Sequence, residues 1–280
     1  MGTFESVQAQ YEKNKNAASG NKFANSEERM KKYFTTVLPK GVTEQERRIR
    51  ILPTKDGTSP FVEVYFHEIQ VDGKWVKLYD PKQEGKRSPL NEVHDSLKAT
   101  GVESDGELAK TYRSRKFFVA KVIDRDHEPD GPKFWRFKFN AKQEGIMDKI
   151  WPVFRTRGDI TDIEKGRDLI LSLSLTKSGK GKDYTQISSV LDADPSPLNK
   201  DAEQLKKWVE DSLVWSDVYT KKPEEYLEMV ANGETPKWDK DNKKWVSTSQ
   251  SEIVIGGDSG GEPMPEDPQA NDEPEEELPF

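Results

Sequence analysis

Apolar and polar positions alternate with a period of two along several short runs of this chain, and that alternation predicts strands. In RDLILSLSLTKSGKGKDYTQISSVL, Leu169, Leu171, Leu173 and Leu175 share one side of an extended chain, and KSGKGKD supplies a turn that folds it into a hairpin. PFVEVYFHEIQVDGKWVKLYD reads as two strands around Asp72-Gly73, a tight-turn dipeptide. RRIRILP reads as a strand closed by Pro53, and RKFFVAKVIDRD and PKFWRFKF as two more joined by HEPDG. The period then changes. KQEGIMDKIWPVF predicts a helix ended by Pro152, and DAEQLKKWVEDSL and PEEYLEMVANG predict helices with acidic first turns. TPKWDKDNKKWVS predicts a small two-stranded turn, and the polar stretch 81–108 a loop or small subdomain with one helix. Five or more strands followed by helices predict an α+β fold with a barrel-like β core and helical additions.

The ends of the chain carry less pattern. Residues 1–21 are polar, with Phe4, Val7 and Tyr11 at helical spacing, and read as an arm. From about Thr248 the chain is Ser, Gly, Asp, Glu and Pro, which predicts a disordered tail over 248–280. This gives a division into an arm (1–21), a core (22–198), a helical extension packed on the core (199–247) and the tail. The 34% of charged residues fits a chain that is partly disordered.

Charge is divided along the chain. The net value is −7, yet Gly256–Phe280 holds nine acidic and no basic residues, so the remainder is positive by two. Between Ala109 and Ile187 there are 18 Lys and Arg against 11 Asp and Glu. A basic middle joined to an acidic tail predicts a polyanion partner and a tail that competes with it. The absence of cysteine excludes disulfides, thiolate metal sites and cysteine nucleophiles. No run is apolar enough to span a bilayer, and the first residues lack the apolar stretch of a signal peptide, so a soluble cytoplasmic protein without membrane contact is expected.

Two segments interleave rings with cations. TYRSRKFF holds Tyr112, Arg113, Arg115 and Lys116, and KFWRFKF holds Trp135, Arg136, Phe137 and Lys138. Alternation puts Lys133, Trp135, Phe137 and Phe139 on one face of a strand and Phe134, Arg136 and Lys138 on the other, and leaves open which face is exposed. Single-stranded nucleic acid asks for this mixture, with cations for phosphates and flat rings for unstacked bases. The hairpin tip adds Lys180, Lys182 and Tyr184. Its glycines are not spaced as a phosphate loop and no Ser or Thr follows the lysine, which disfavours an ATPase. His67, His94 and His127 stand alone, and Asp124, Asp126 and Asp130 read as a solvated turn. No catalytic constellation, cofactor site or metal site emerges, so the expectation is a binding protein and not an enzyme.

The order of RIRILPTK, PFVEVYFHEIQVDGKW, KFFVAKVID, KFWRFKF, MDKIW and LSLSLTKSGKGKDYT resembles the single-stranded-DNA-binding replication proteins of T-even-type phages, the helix-destabilising proteins. The resemblance covers roughly residues 20–230. It implies an OB-type barrel with a DNA cleft, and cooperative, sequence-tolerant binding of single strands during replication, recombination and repair. By position it puts Arg50, Tyr112, Arg113, Arg115, Lys116, Phe137, Lys138 and Tyr184 at the DNA. The family carries one His and three Cys in a zinc subdomain. Here only His67 is left, so a zinc site like the family's cannot form and residues 78–105 are expected to be held by packing alone or to be looser. The arm keeps only Lys13–Lys15 as a basic cluster, which weakens the expectation of cooperative self-association on DNA. The ending is similar to that of bacterial single-strand-binding proteins. Glu275, Glu276 and Glu277, then Leu278, Pro279 and Phe280, imply docking to replication and repair proteins. Two other readings stay open. One is an RNA-binding or RNA-chaperone protein. The other is a protein-binding scaffold, which expects the rings of TYRSRKFF and KFWRFKF to be buried.

Overall fold

The alternating segments assemble around one long strand. In the computed structural model, which describes residues 26–140, 144–177 and 183–250, β5 spans Ser114–Asp124 and pairs along both edges. One edge takes β6 (Lys133–Lys138). The other takes β3 (Phe61–Val71) along residues 114–120 and β2 (Glu44–Ile51) along 122–124, all antiparallel. β2 continues into β7 (Arg167–Lys177), and β7 into β8 (Asp183–Pro195). β4 (Lys74–Tyr79) lies outside β3, and the two-residue β1 (Tyr33–Phe34) runs parallel to β6. The turn at Asp72-Gly73 forms with positive φ at both residues, 51° and 73°, as the β3–β4 hairpin requires.

The sheet does not close, so the expected barrel is corrected to an open sheet. Its strand order runs from β1 to β8, with no ladder between those ends among the described residues. Two side chains' worth of β1 is too short to carry a ladder onward. The segment beyond it reaches β8 through the Leu38 amide, which donates to Thr185 Oγ1 at 3.0 Å. A helix, α4 (Ile146–Arg157) in the chain order given below, covers the opening. Its Ile150 and Val153 join Ile49, Phe118, Trp135, Phe137, Leu169, Leu171 and Leu173 in the main core.

The helices are α1 (Ser26–Met30), α2 (Pro89–Ala99), α3 (Glu103–Tyr112), α4, α5 (Ala202–Val209), α6 (Trp215–Val218) and α7 (Glu224–Ala231). A separate hairpin, β9 (Glu234–Asp239) and β10 (Lys244–Gln250), follows them. Three expectations change. Residues 81–108 contain the N-terminal part of a two-helix lobe, α2 and α3, where one helix was expected. α4 continues through Pro152, which lies on its exposed side and removes a single intrahelical bond while Ile150 and Val153 hold the inner side. α6 was not anticipated, because four residues are too few to show a period. The expected arm, the hairpin-tip residues Lys180 and Lys182, and residues 251–280 lie outside the described residues.

The lobe is held by more than packing. Leu90 and Tyr112 pack with Ile69, Val71 and Leu78 of the β3–β4 hairpin and with Tyr226, Leu227 and Val230 of α7. Under them lies a buried polar cluster. His67 Nδ1 is 2.7 Å from the Tyr112 carbonyl oxygen, which can only accept, so Nδ1 carries a proton. Its Nε2 faces Asp80 Oδ1 at 3.5 Å and Ser88 Oγ at 3.4 Å. The Asn91 amide donates to Asp80 at 2.8 Å and to Ser88 at 3.0 Å, and the Lys82 amide donates to Asp80 at 3.0 Å. Burial pushes the Asp80 carboxyl up, but the bonds from His67 and Asn91 outweigh it and hold it well below the usual carboxylate range.

Asp80→Ala should therefore destabilise the chain by about 1–3 kcal/mol, since it leaves buried donors unpaired. The sign of the pH dependence follows from the lowered value. The contribution is present above the unfolded carboxyl value of about 4 and is lost as pH falls through the lower folded value. Denaturant titrations should show the gap between wild type and variant narrowing in acid. A gap that is constant from pH 7 to pH 2 would show that the carboxylate is not what stabilises the lobe.

Candidate nucleic-acid interface

Strand parity sorts the charged and aromatic residues of β5 and β6. Phe117 and Val119 of β5, Phe134 of β6, and Val64 and Phe66 of β3 face one way, under Trp215, Val218 and Tyr219 of the α6 region. Phe118, Ala120, Trp135, Phe137 and Phe61 face the other way, into the main core. Arg115, Arg136 and Lys138 share the first face. The register completes the set, because Lys138 opposes Phe117, Arg115 opposes Phe66, and Lys77 of β4 opposes Glu68 of β3.

Glu68 is the point on which these cations meet. Its side chain is 3% exposed, with Lys138 Nζ at 2.6 Å and Arg115 Nε at 3.4 Å. Burial pushes its carboxyl up, and Lys138, Lys77 and Arg115 more than offset this and keep it below the usual range. Arg136 lies over two rings, 5.6 Å from the centre of Tyr33 and 5.1 Å from that of Phe66. Lys77 lies 6.0 Å from the centre of Phe117. An open cleft beside them is lined by Tyr33, Phe34, Thr35, Thr36, Lys77, Phe117 and Arg136. Three cations face one carboxylate here and Arg136 lies on the same face, so these groups together are net positive, and they are held in place by the carboxylate and the rings.

The sequence-predicted residues divide unevenly over this arrangement. Arg115 and Lys138 meet at Glu68, and Arg136, on the same face of the sheet, lines the cleft with Lys77. Lys116, next in the chain to Arg115, points to the opposite face, where it pairs with Glu63 at 2.8 Å. Arg113 is exposed at the junction of α3 and β5. Tyr184 is half-buried on β8, next to the Thr185 that receives the Leu38 amide. Four candidates are interior. Arg50 is 0% exposed, donating to Asp168 at 2.7 Å and to Ser196 Oγ at 2.7 Å, so its charge is used inside the fold. Tyr112 is part of the lobe core, and Trp135 and Phe137 of the main core. None of the four presents a surface to a base in this conformation. Asp124 and Asp130 both pair with Lys133, at 3.6 and 2.8 Å, and Asp124 also with Arg47 at 2.6 Å.

Three cleft-face residues escaped the sequence reading. Lys77, with Lys74, Trp75 and Tyr79, and Tyr33, with Lys31, Lys32 and Phe34, lie in segments that also mix basic and aromatic residues, a signal that the sequence reading passed over. Trp75 shares the parity of Lys77 on β4 and keeps 36% exposure.

An open sheet with a preorganised cationic cleft on one face is the surface of a polyanion-binding protein. Residues 43–232 match the family described as gp32 DNA binding protein like. The match covers more than half of the chain, and the chain belongs to that family of DNA-binding proteins. No curated protein matches it. Burial of Tyr112, Phe117, Phe118, Trp135 and Phe137 is what the scaffold reading expected of these rings. The family decides for DNA.

Arg50→Met separates fold from site. Removing one member of a buried pair costs about 3–5 kcal/mol, so the variant should lose stability of that order in denaturant titrations. The salt dependence of its DNA binding should match wild type. A variant of normal stability with a shallower salt slope would place Arg50 on the DNA.

Proposed function

We propose that this chain binds single-stranded DNA without sequence preference, and so protects and organises single strands during replication, recombination and repair. The observation that carries the reading is the gathering of Lys77, Arg115, Arg136 and Lys138 on one face of the sheet, three of them around a single buried carboxylate and Arg136 over the Tyr33 and Phe66 rings. The cleft offers Tyr33 as ring surface beside Lys77 and Arg136, which is the pairing that unstacked bases and their phosphates require. A duplex hides the flat faces of its bases, so rings in a narrow cleft favour the single strand. The reading is of a cytoplasmic binding protein, and no step in it is catalytic.

The acidic residues of Gly256–Phe280 fit a segment that competes with DNA for these cations. The run Glu275, Glu276, Glu277, Leu278, Pro279 and Phe280 fits a docking segment for replication and repair proteins, with glutamates for a basic rim and a ring for an apolar pocket. Residues 1–21 are the candidate for self-association on DNA.

Arg136→Ala and Lys138→Ala should each weaken poly(dT) binding and lower the salt slope by roughly 0.7. Poly(U) run in the same titration decides the sugar, and equal affinity for the two would make the protein a general single-strand binder. Unchanged slopes in both variants would remove the cleft from the site. The acidic segment has its own test. A chain lacking residues 256–280 should bind poly(dT) more tightly at low salt and lose the replication and repair proteins it captures. Deleting Phe280 alone should lose capture and keep DNA affinity. Capture that survives the Phe280 deletion would reduce the segment to a source of negative charge.

A further inference from the structure

The face of the sheet opposite the cleft carries a second arrangement of rings and charge. Tyr65 of β3 stands across from Lys116 of β5 in the register, and the Phe139 amide donates to the Lys116 carbonyl oxygen at 3.0 Å. One row thus crosses three strands. Within it the Lys116 ammonium is 5.7 Å from the centre of the Tyr65 ring and 5.5 Å from that of Phe139. Phe118 braces Phe139 from the side, edge-on at 5.8 Å. The Glu63 carboxylate, 2.8 Å from Lys116, fixes the ammonium between the rings.

This row lies where the packed face meets solvent. Phe118 and Phe137 of the next row are in the core, and Phe61 beyond them is covered by Phe154 of α4 at 5.9 Å between ring centres. Phe139 remains 37% exposed and Tyr65 is half-buried. Ring faces supported from one side and open on the other, with a fixed cation between them, are what a base and its phosphate need from a sequence-tolerant site. The row also lies at the same end of the sheet as the cationic cluster. Lys116 follows Arg115 and Phe139 follows Lys138, so each strand sends one residue to each face. Arg113, exposed, immediately precedes β5 at this end of the sheet.

We propose that Tyr65, Lys116 and Phe139 form a second contact for the strand held in the cleft. The strand leaves Arg115 and Lys138, rounds the end of the sheet past Arg113, and sets a base against Phe139 with a phosphate at Lys116. This rests on the reading of the cleft as a single-strand site.

The test compares dT oligomers of about 4 and about 16 nucleotides, the range that one such domain occupies. Wild type should bind both, and failure to bind either would sink the cleft reading itself. Phe139→Ala and Tyr65→Ala should each weaken binding of the longer oligomer about ten-fold and leave the shorter one unchanged, with unaltered melting temperatures. Should Phe139→Ala lower the melting temperature by unpacking Phe118, Lys116→Gln takes its place, with a shallower salt slope expected on the longer oligomer alone. Variants that bind the longer oligomer as wild type does would overturn the proposal. Equal losses at both lengths would overturn it too, because the row would then be part of the cleft.

Discussion

A carboxylate removed from water among cations organises the cationic face of this sheet. Glu68 would be costly to bury alone, and the three cations that turn toward it would repel one another without it. Together they fix Lys138, Arg115 and Lys77, from three different strands, on one side of the sheet. The register supplies them, because β4, β3, β5 and β6 lie in that order and their pairing sets the side chains at neighbouring positions. Arg136 is held by a different means, against the faces of Tyr33 and Phe66. An anion entering the cleft therefore meets charges that are already placed, and loses little entropy in ordering them.

The same economy of placement accounts for the lobe beside the cleft. His67, Asp80, Ser88 and Asn91 satisfy one another's hydrogen bonds under α2, where the resemblance to phage proteins had pointed to a zinc subdomain whose cysteines are missing here. The cluster ties the β3–β4 hairpin to the helices, and the hairpin carries Glu68 and Lys77. Tyr219 of the α6 region donates to the Lys77 carbonyl oxygen at 2.8 Å and accepts from the Tyr79 amide at 3.1 Å, closing the outer edge of β4. The lobe and the C-terminal helices so hold in place the strand that carries one of the cleft's cations.

Much of the fold was legible because it rests on local rules. The leucine alternation of β7 appears as burial of Leu169, Leu171 and Leu173, and Asp72-Gly73 makes its hairpin turn. What stayed hidden depends on long-range pairing. Nothing local in KFWRFKF tells which side faces the core, so Trp135 and Phe137 read equally well as stacking rings and as interior ones. Arg50 looked like a DNA contact because the sequence does not show that Asp168, 118 positions away, lies against it. Closure of the barrel turned on how far β1 extends, and its two residues carry no periodic signal. Trp75 sits among Lys74, Lys77 and Tyr79, but which face it takes depends on the pairing of β4 with β3, and parity sets it on the cleft face.

Photocross-linking tests the placement of the strand most directly. A single-stranded oligomer carrying iodouracil would be irradiated on the full chain and the modified peptides mapped. With the strand in the cleft, cross-links should fall on the peptides containing Tyr33 and Trp75, and be lost with excess poly(dT). Cross-links confined to α2, α5 or the β9–β10 hairpin, with those peptides unmodified, would contradict the account.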